Sequence, residues 1–348
     1  FYRMKKRNKK FFKWSFGIII LLGLLALGLF YFTFFNKNIK GEIKENFLYI
    51  PSNSSFNDVV EILNNNGLLE DKESFIRAAK ILEYPENVKA GKYKIEQGMD
   101  NLSLIRMLKA GRQTPVKLVL RAMHDKESLS GFIGKNLEID SVEFYEFLND
   151  DETLKEFGLD SESSLIMFLP DTYEFYWNTD LKTFTERMFS YYNKFWDAEK
   201  KTQAEKIGLN IDEVSILASI VDKETSKTDE MARIAGVYLN RIKKGMKLQA
   251  DPTVIFAIGN KNIRRVLYEH LSFDSPYNTY KYEGLPPGPI CLPSKQAINA
   301  VLNAENHKYI FFCAKEDFSG YHNFAEDDIT HAANSRKYRK ALDARGIR

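Results

Sequence analysis

The 348-residue chain has the composition of a globular protein, with 44% hydrophobic and 28% charged residues, and its length allows two or three domains. The formal net charge of +3 is too small to predict a nucleic-acid partner, since much of the excess lies in the basic residues 1–13. Two cysteines, Cys291 and Cys313, are too few for a disulfide framework. Cys313 lies in "YIFFCA", a short apolar run that predicts a buried strand, so an inert core thiol there is favoured over a single bridge between the two cysteines.

An uncharged apolar segment follows the basic residues, at 14–35, and ends in a cluster of aromatic side chains. About 20 apolar residues is the length that a helix needs to cross a membrane. A cleavable signal peptide would have a shorter apolar region followed by small residues, so an uncleaved, single-pass anchor in the cell (cytoplasmic) membrane is predicted. The positive-inside rule keeps the basic N-terminus cytoplasmic and places the chain beyond about residue 40 outside the cytoplasm.

The remaining chain is predicted to be α+β. Residues 36–46 are polar and are interpreted as a linker. Residues 47–120 alternate strand-like and helical patterns and predict a small α+β module, with Gly67 and Gly111 as helix stops. Residues 121–164 form a helical connecting region to which no chemistry is assigned, and a second α+β domain is predicted at 165–348.

Two carboxylates, Asp222 and Glu224, stand where an apolar run ends in "NIDEVSILASIVDKE", residues 210–224. The spacing of the apolar residues predicts an amphipathic helix on which Glu224 continues the apolar stripe while Asp222 points to nearly the opposite side. A carboxylate at the end of an apolar stripe is partly desolvated, which favours the protonated form of a general acid. From periodicity alone, a solvated helix end at Glu224 is the stronger alternative.

Polar and aromatic residues downstream are of the types that a carbohydrate site needs, because amides and hydroxyls give directional hydrogen bonds and flat rings stack on sugars. Each also has a purely structural alternative. Asn240 can satisfy a buried backbone group, and Asp251 before Pro252 can set a turn. The predicted substrate-binding residues are Asn240, Arg241, Gln249, Asp251, Thr253, Tyr277, Asn278, Thr279 and Tyr280.

Three stretches together carry a family resemblance: "LASIVDKETSKTDEMARIAGVYLNRIKKGMKLQADPTVIFAIG", "YNTYKYEGLPPGPI" and "YHNF…THAAN", in that order behind one anchor. The chain resembles the endolytic murein transglycosylases of the YceG-like family over roughly residues 165–340. The module at 47–120 resembles the LysM-like domain that precedes the catalytic domain in such enzymes, and glycan binding and a mere spacer role are about equally favoured for it. One departure is the absence of the glutamate that the family commonly has shortly before "PDTY".

The resemblance implies a lytic transglycosylase that cleaves peptidoglycan glycan strands between N-acetylmuramic acid and N-acetylglucosamine and leaves 1,6-anhydro ends. The family's catalytic glutamate lies in an "ASIVEKE" motif, which here reads Ala218 to Glu224 with aspartate at the first acidic position. Glu224 is therefore the implied general acid and base, and Asp222 a helper at most. No cofactor is implied, and peptidoglycan synthases are the implied protein partners, by family analogy alone.

Two other functions stay open at this point. A muramidase-type hydrolase would use Asp222 to activate water and would leave reducing ends, and a membrane-tethered glycan-binding protein would not cleave at all. A metal site is not predicted, because His322 and His331 flank Asp327 and Asp328 with a spacing that fits no standard zinc signature.

Overall fold

The computed structural model describes residues 2–40, 47–260, 263 and 265–346, so that residues 41–46 of the predicted linker lie outside the described part. The fold is a helix-rich α+β arrangement that divides into two compact units. The N-terminal unit comprises Phe1–Val116 with Glu174–Thr179, and the C-terminal unit comprises Lys117–Tyr173 with Asp180–Arg348.

The N-terminal unit begins with one long helix, α1 (Tyr2–Phe34). Its stretch Phe12–Phe34 is long and apolar enough to cross a membrane, and its large apolar side chains are exposed almost throughout. The last turn is different, because Thr33 and Phe34 are buried against the rest of the unit. An exposed apolar helix of this length fits the predicted single-pass anchor.

The rest of this unit contains the elements that the sequence predicts between residues 47 and 111. Strands β1 and β2 pair antiparallel with Phe47 opposite Lys94, and α4 ends at Gly111 in the left-handed conformation (φ 66°) that glycine adopts without steric cost. Residues 36–40, predicted as linker, are packed rather than free, with Asn38 and Ile39 buried. The elements are β1 (Phe47–Ile50), α2 (Phe56–Asn65), α3 (Lys72–Ile81), β2 (Gly91–Lys94) and α4 (Asn101–Ala110).

The C-terminal unit holds the predicted connecting region together with the predicted catalytic domain. Two short sheets, β3 with β4 and β5 with β6, accompany the helices beyond residue 115; Val116 of β3 and Glu174–Phe175 of β4 are counted with the N-terminal unit. The elements are β3 (Val116–Val119), α5 (Lys126–Asn136), α6 (Ser141–Phe147), α7 (Asp151–Leu154), β4 (Thr172–Phe175), α8 (Leu181–Phe195), α9 (Ala198–Ile207), α10 (Ile211–Glu224), α11 (Thr228–Lys243), α12 (Asp251–Ile258), α13 (Tyr268–Leu271), α14 (Lys295–Leu302), β5 (Phe311–Ala314), β6 (His322–Ala325) and α15 (Asp328–Ala344), with 3-10 turns at Lys155–Phe157 and Ser164–Met167.

Helix α10 is the centre of the C-terminal unit. It starts at a capping box in which the Asn210 side chain and the Glu213 carboxylate satisfy each other's backbone N–H groups. Every residue from Val214 to Val221 is buried, because α11, α12 and α14 all pack on it. The helix therefore delivers its C-terminal carboxylates to fixed positions inside the unit rather than to a solvated end.

Candidate active site

The two acids at the end of α10 have different neighbours, as the helical spacing predicts. The Asp222 carboxylate accepts hydrogen bonds from the Ser294 backbone N–H at 2.6 Å and from the Ser294 hydroxyl at 2.7 Å. Ser294 is the N-cap of α14, so Asp222 secures the start of that helix. Its two oxygens are already engaged in a structural contact.

Glu224 is half-buried and receives one strong hydrogen bond. The hydroxyl of Tyr238, on α11, donates to Oε1 of Glu224 at 2.6 Å. Burial raises the pKa of Glu224 to about 7, against a lowering by the Tyr238 hydrogen bond and with a smaller raising by the Asp251 charge. A carboxyl group with this pKa is present in both protonation states near neutral pH, which suits a residue that gives and then takes a proton.

Glu224 lines a cavity of about 520 Å³, a size typical of small-molecule and sugar sites. Four of the predicted substrate-binding residues line it too: Arg241, Gln249, Asp251 and Tyr280. Strands β5 and β6 and helix α15 also contribute residues to the cavity wall. The other lining residues are Tyr238, Leu248, Ile310, Phe311, Phe312, Cys313, Ala314, His322, Asp328 and His331.

Arg241 fixes the backbone at the edge of this cavity by donating hydrogen bonds to carbonyl groups. Its guanidinium donates to the carbonyls of Ile310, Lys247 and Leu248 at 2.7–2.9 Å and to Oε1 of Gln249 at 3.0 Å. Gln249 has a positive φ of 54°, a conformation that a side chain other than glycine's adopts only when its surroundings fix it. Arg241 thus shapes the loop that leads into α12.

Asp251, the first residue of α12, accepts a hydrogen bond from the Tyr280 hydroxyl at 2.5 Å. Behind this pair, the hydroxyls of Thr253 and Thr279 lie 2.8 Å apart in the buried interior, and Thr279 Oγ1 accepts the Ala250 N–H at 3.0 Å. The two threonines join the segment before α12 to the "YNTY" loop, so that Asp251 and Tyr280 meet at the cavity.

The remaining predicted residues are engaged away from the cavity lining. Asn240 donates to the carbonyls of His307 and Tyr309 at 2.8 and 3.0 Å, which is the structural alternative that its residue type allows. Asn278 donates to two carbonyls within its own loop, at 3.0 and 2.7 Å, and the Tyr277 hydroxyl donates to Glu162 at 2.5 Å. Their contribution to substrate binding stays a prediction.

Sequence reasoning did not single out Tyr238, Phe312 or the Glu230–His322 pair. Tyr238 lies 14 residues beyond Glu224 on another helix, and only the packing of α11 on α10 brings the two together. For His322 and His331 the sequence predicts structural or surface roles, with "YHNF" packed beside the cleft, and both histidines line the cavity. Within the described ranges, no three His, Cys, Asp or Glu side chains are grouped as metal ligands would be.

Both cysteines are free thiols. Cys291 is buried, with its sulfur 3.5 Å from the Ser219 carbonyl oxygen, and burial raises the pKa of its thiol to about 12. Cys313 lies in strand β5 as predicted and is half-buried rather than fully buried. A thiol with so high a pKa is unreactive, which agrees with an inert Cys291.

Comparison with known proteins shows which family the chain belongs to. The model of the YceG-like family matches residues 48–337. An endolytic murein transglycosylase of Bacillus subtilis is 30% identical over 288 residues, covering 77% of this chain and 78% of the relative. One from Streptococcus pneumoniae is 28% identical over 76% of this chain, which spans only 53% of that protein.

A solved structure shares the fold as well. The crystal structure of a YceG-like protein from Listeria monocytogenes superimposes with a TM-score of 0.57 at 25% identity, covering 82% of this chain and 97% of the other. The match extends over both units rather than over the C-terminal unit alone. Sequence and structure therefore agree that the chain belongs to the YceG-like family.

Proposed function

We propose that this protein is a membrane-anchored lytic transglycosylase that cleaves peptidoglycan between N-acetylmuramic acid and N-acetylglucosamine, with Glu224 as the only acid and base. Family membership makes it an enzyme of murein transglycosylation. The observation that carries the residue assignment is the half-buried carboxyl group of Glu224, with a pKa of about 7, which Tyr238 holds at the wall of a cavity.

In the first step, protonated Glu224 donates its proton to the glycosidic oxygen as the bond from that oxygen to the anomeric carbon of the muramic residue breaks. The carboxylate that results is stabilised by the Tyr238 hydroxyl, since a hydrogen bond to the charged form favours that form. The acetamido group of the muramic residue supports the developing positive charge at its anomeric carbon.

In the second step, the Glu224 carboxylate takes the proton from the 6-hydroxyl of the same muramic residue, and that oxygen bonds to the anomeric carbon. The product is a 1,6-anhydro end, and Glu224 is protonated again for the next cycle. No water and no cofactor are consumed. One group with a pKa near the working pH serves both steps, whereas hydrolysis by the common two-carboxylate route needs a second acid at a set distance.

The engagement of Asp222 bears on that alternative. Its two oxygens accept hydrogen bonds from Ser294, which holds the carboxylate at the start of α14. A water-activating role would have to break this contact. Hydrolysis of the muramidase type is therefore the weaker hypothesis, and the chemical form of the product end distinguishes it from lytic cleavage.

We also propose that α1 anchors the protein in the cell membrane, with the basic N-terminus in the cytoplasm and the C-terminal unit outside it, acting on nascent strands beside the synthases that make them. The apolar stretch Phe12–Phe34 and its exposed side chains support the anchor. Residues 47–120 are proposed to be a LysM-like module, for which glycan binding and a spacer role are equally favoured. Protease digestion of intact and of inverted membrane vesicles tests this orientation.

The proposed activity is tested by incubating the purified full-length chain in detergent with uncrosslinked glycan strands and weighing the products by mass spectrometry. Anhydro ends are expected. Reducing ends, each heavier by one water, would instead make the protein a hydrolase, and binding without any cleavage would make it a glycan-binding protein.

A further inference from the structure

A second acid and a histidine form a close pair at the cavity of Glu224. Nδ1 of His322 lies 2.7 Å from Oε2 of Glu230, and the His322 backbone N–H donates to the other oxygen at 3.0 Å. The Glu230 side chain is only 4% exposed and that of His322 is 12% exposed. The acid is thus sealed inside the protein, while the ring keeps an accessible edge.

The pairing fixes the orientation of the imidazole. A carboxylate accepts hydrogen bonds, so Nδ1 carries the proton that it donates to Glu230, and Nε2 of the neutral ring is left with its lone pair. In catalytic triads and metal sites, a carboxylate that accepts a hydrogen bond from one ring nitrogen likewise fixes the tautomer and leaves the other nitrogen to bind a proton or a metal. Here the selected nitrogen is Nε2.

The imidazole of His322 lies at the cavity, and its Nδ1 is already engaged by Glu230. The Phe312 ring stands edge-on to the imidazole at 5.2 Å and edge-on to Tyr238 at 5.8 Å, so it separates His322 from the Tyr238–Glu224 pair. Glu230 and Tyr238 both lie on α11, which therefore positions the acid of one pair and the hydroxyl of the other.

We propose that His322 is a substrate-contacting residue whose Nε2 accepts a hydrogen bond from a hydroxyl group of the bound glycan, with Glu230 as the positioning residue behind it. This inference rests on the proposed function, because it assumes that the cavity takes a sugar. Sugar hydroxyls are the donors that a neutral imidazole nitrogen can bind, and two of the carboxylates at the cavity, Glu224 and Asp251, already accept hydrogen bonds from Tyr238 and Tyr280.

Two isosteric substitutions separate this role from a structural one. His322→Asn places an amide nitrogen where Nδ1 was, which keeps the contact to Glu230 and removes Nε2. His322→Gln reaches the position of Nε2 and gives up the contact to Glu230. Glycan binding is measured in the inactive Glu224→Gln chain with uncrosslinked strands, by titration calorimetry, and melting temperatures confirm that each variant is folded.

One lost hydrogen bond predicts about 3- to 10-fold weaker binding by His322→Asn, with binding by His322→Gln closer to that of the parent. In the cleaving chain, His322→Asn should lower kcat/KM by at least the same factor. Asp229→Asn is the matched control, since Asp229 is exposed, precedes Glu230 in the chain and accepts a hydrogen bond from the Tyr321 hydroxyl outside the cavity. This variant should bind like the parent.

A purely structural His322 would give the reverse order, with the asparagine variant binding better than the glutamine variant. That order, or binding by His322→Asn equal to the parent, contradicts the inference while the unsubstituted chain still cleaves. If the unsubstituted chain does not cleave or bind the strands, the proposed function fails, and this inference fails with it.

Discussion

Removing the hydroxyl of Tyr238 should move the pH dependence of cleavage upward. That hydroxyl donates to Glu224 at 2.6 Å and lowers the pKa of a carboxyl group that burial raises to about 7. A hydrogen bond to a charged group contributes about 1.5–3 kcal/mol, and about 1.4 kcal/mol corresponds to one pKa unit. Tyr238→Phe should therefore raise the pKa of Glu224 by about one to two units.

The direction of the shift in the pH profile follows from the role of Glu224 as the acid. The free enzyme needs protonated Glu224, so kcat/KM falls as the pH rises through its pKa. In Tyr238→Phe this alkaline limb should shift to higher pH by the same one to two units, although the maximum falls because the carboxylate formed in the first step loses its partner. The assay is the pH profile of kcat/KM with uncrosslinked strands.

Tyr321→Phe is the matched control, because its hydroxyl also meets a carboxylate, that of Asp229 at 3.1 Å, but outside the cavity. Its pH profile should equal that of the unsubstituted chain. An alkaline limb that stays in place or moves to lower pH in Tyr238→Phe would refute the assignment of that limb to Glu224.

Four further results are expected. Glu224→Gln should raise the free energy of unfolding in urea by up to about 3 kcal/mol at pH 8 and by little near pH 4. The reason is that the pKa of Glu224 is about 7 in the folded protein and 4.5 ordinarily, so that its ionisation lowers stability as the pH rises between those values. A difference between variant and parent that does not grow with pH would contradict this. Asp222→Asn should lower the free energy of unfolding by about 1–3 kcal/mol by weakening the start of α14, with anhydro products retained, and a switch of product would disprove a structural role. Asn101→Ala should speed hydrogen exchange in the last turn of α1, because the Asn101 amide donates a hydrogen bond to the Thr33 carbonyl at 2.8 Å. Unchanged exchange there would show that the contact is dispensable. Chelators should leave cleavage unchanged, and activity lost on chelation and restored by a divalent ion would show a metal requirement.

Local patterns were enough to predict the elements around Glu224 and its place on α10. The apolar spacing of residues 211–221 required a helix, and a helix with that register separates the side chains of residues 222 and 224 whatever packs around it. The same reasoning predicted β1, α2, β2 and α4 from short apolar patterns and from the stop at Gly111. These features depend on neighbours within a few positions, which the sequence displays directly.

Local sequence patterns could not predict contacts between segments that are distant in the chain. The pKa of Glu224 depends on Tyr238 and on partial burial by segments that are distant in the sequence, whereas periodicity alone favours a solvated helix end. Residues 36–40 look like a polar linker, yet Asn38 is buried by hydrogen bonds to Asp71 and Asn101. A polar side chain is interpreted as exposed unless its partner is known, and here the partners lie 33 and 63 residues away.

The central claim is that Glu224 alone gives and takes the proton that produces anhydro ends. The measurement that tests it most directly is mass spectrometry of the strands released by the full-length chain, by Glu224→Gln and by Asp222→Asn, in parallel and at a temperature at which all three are folded. The account predicts anhydro-muramic ends from the unsubstituted chain and from Asp222→Asn, and none from Glu224→Gln. Anhydro ends released by Glu224→Gln at a comparable rate, or reducing ends lost only in Asp222→Asn, would contradict it.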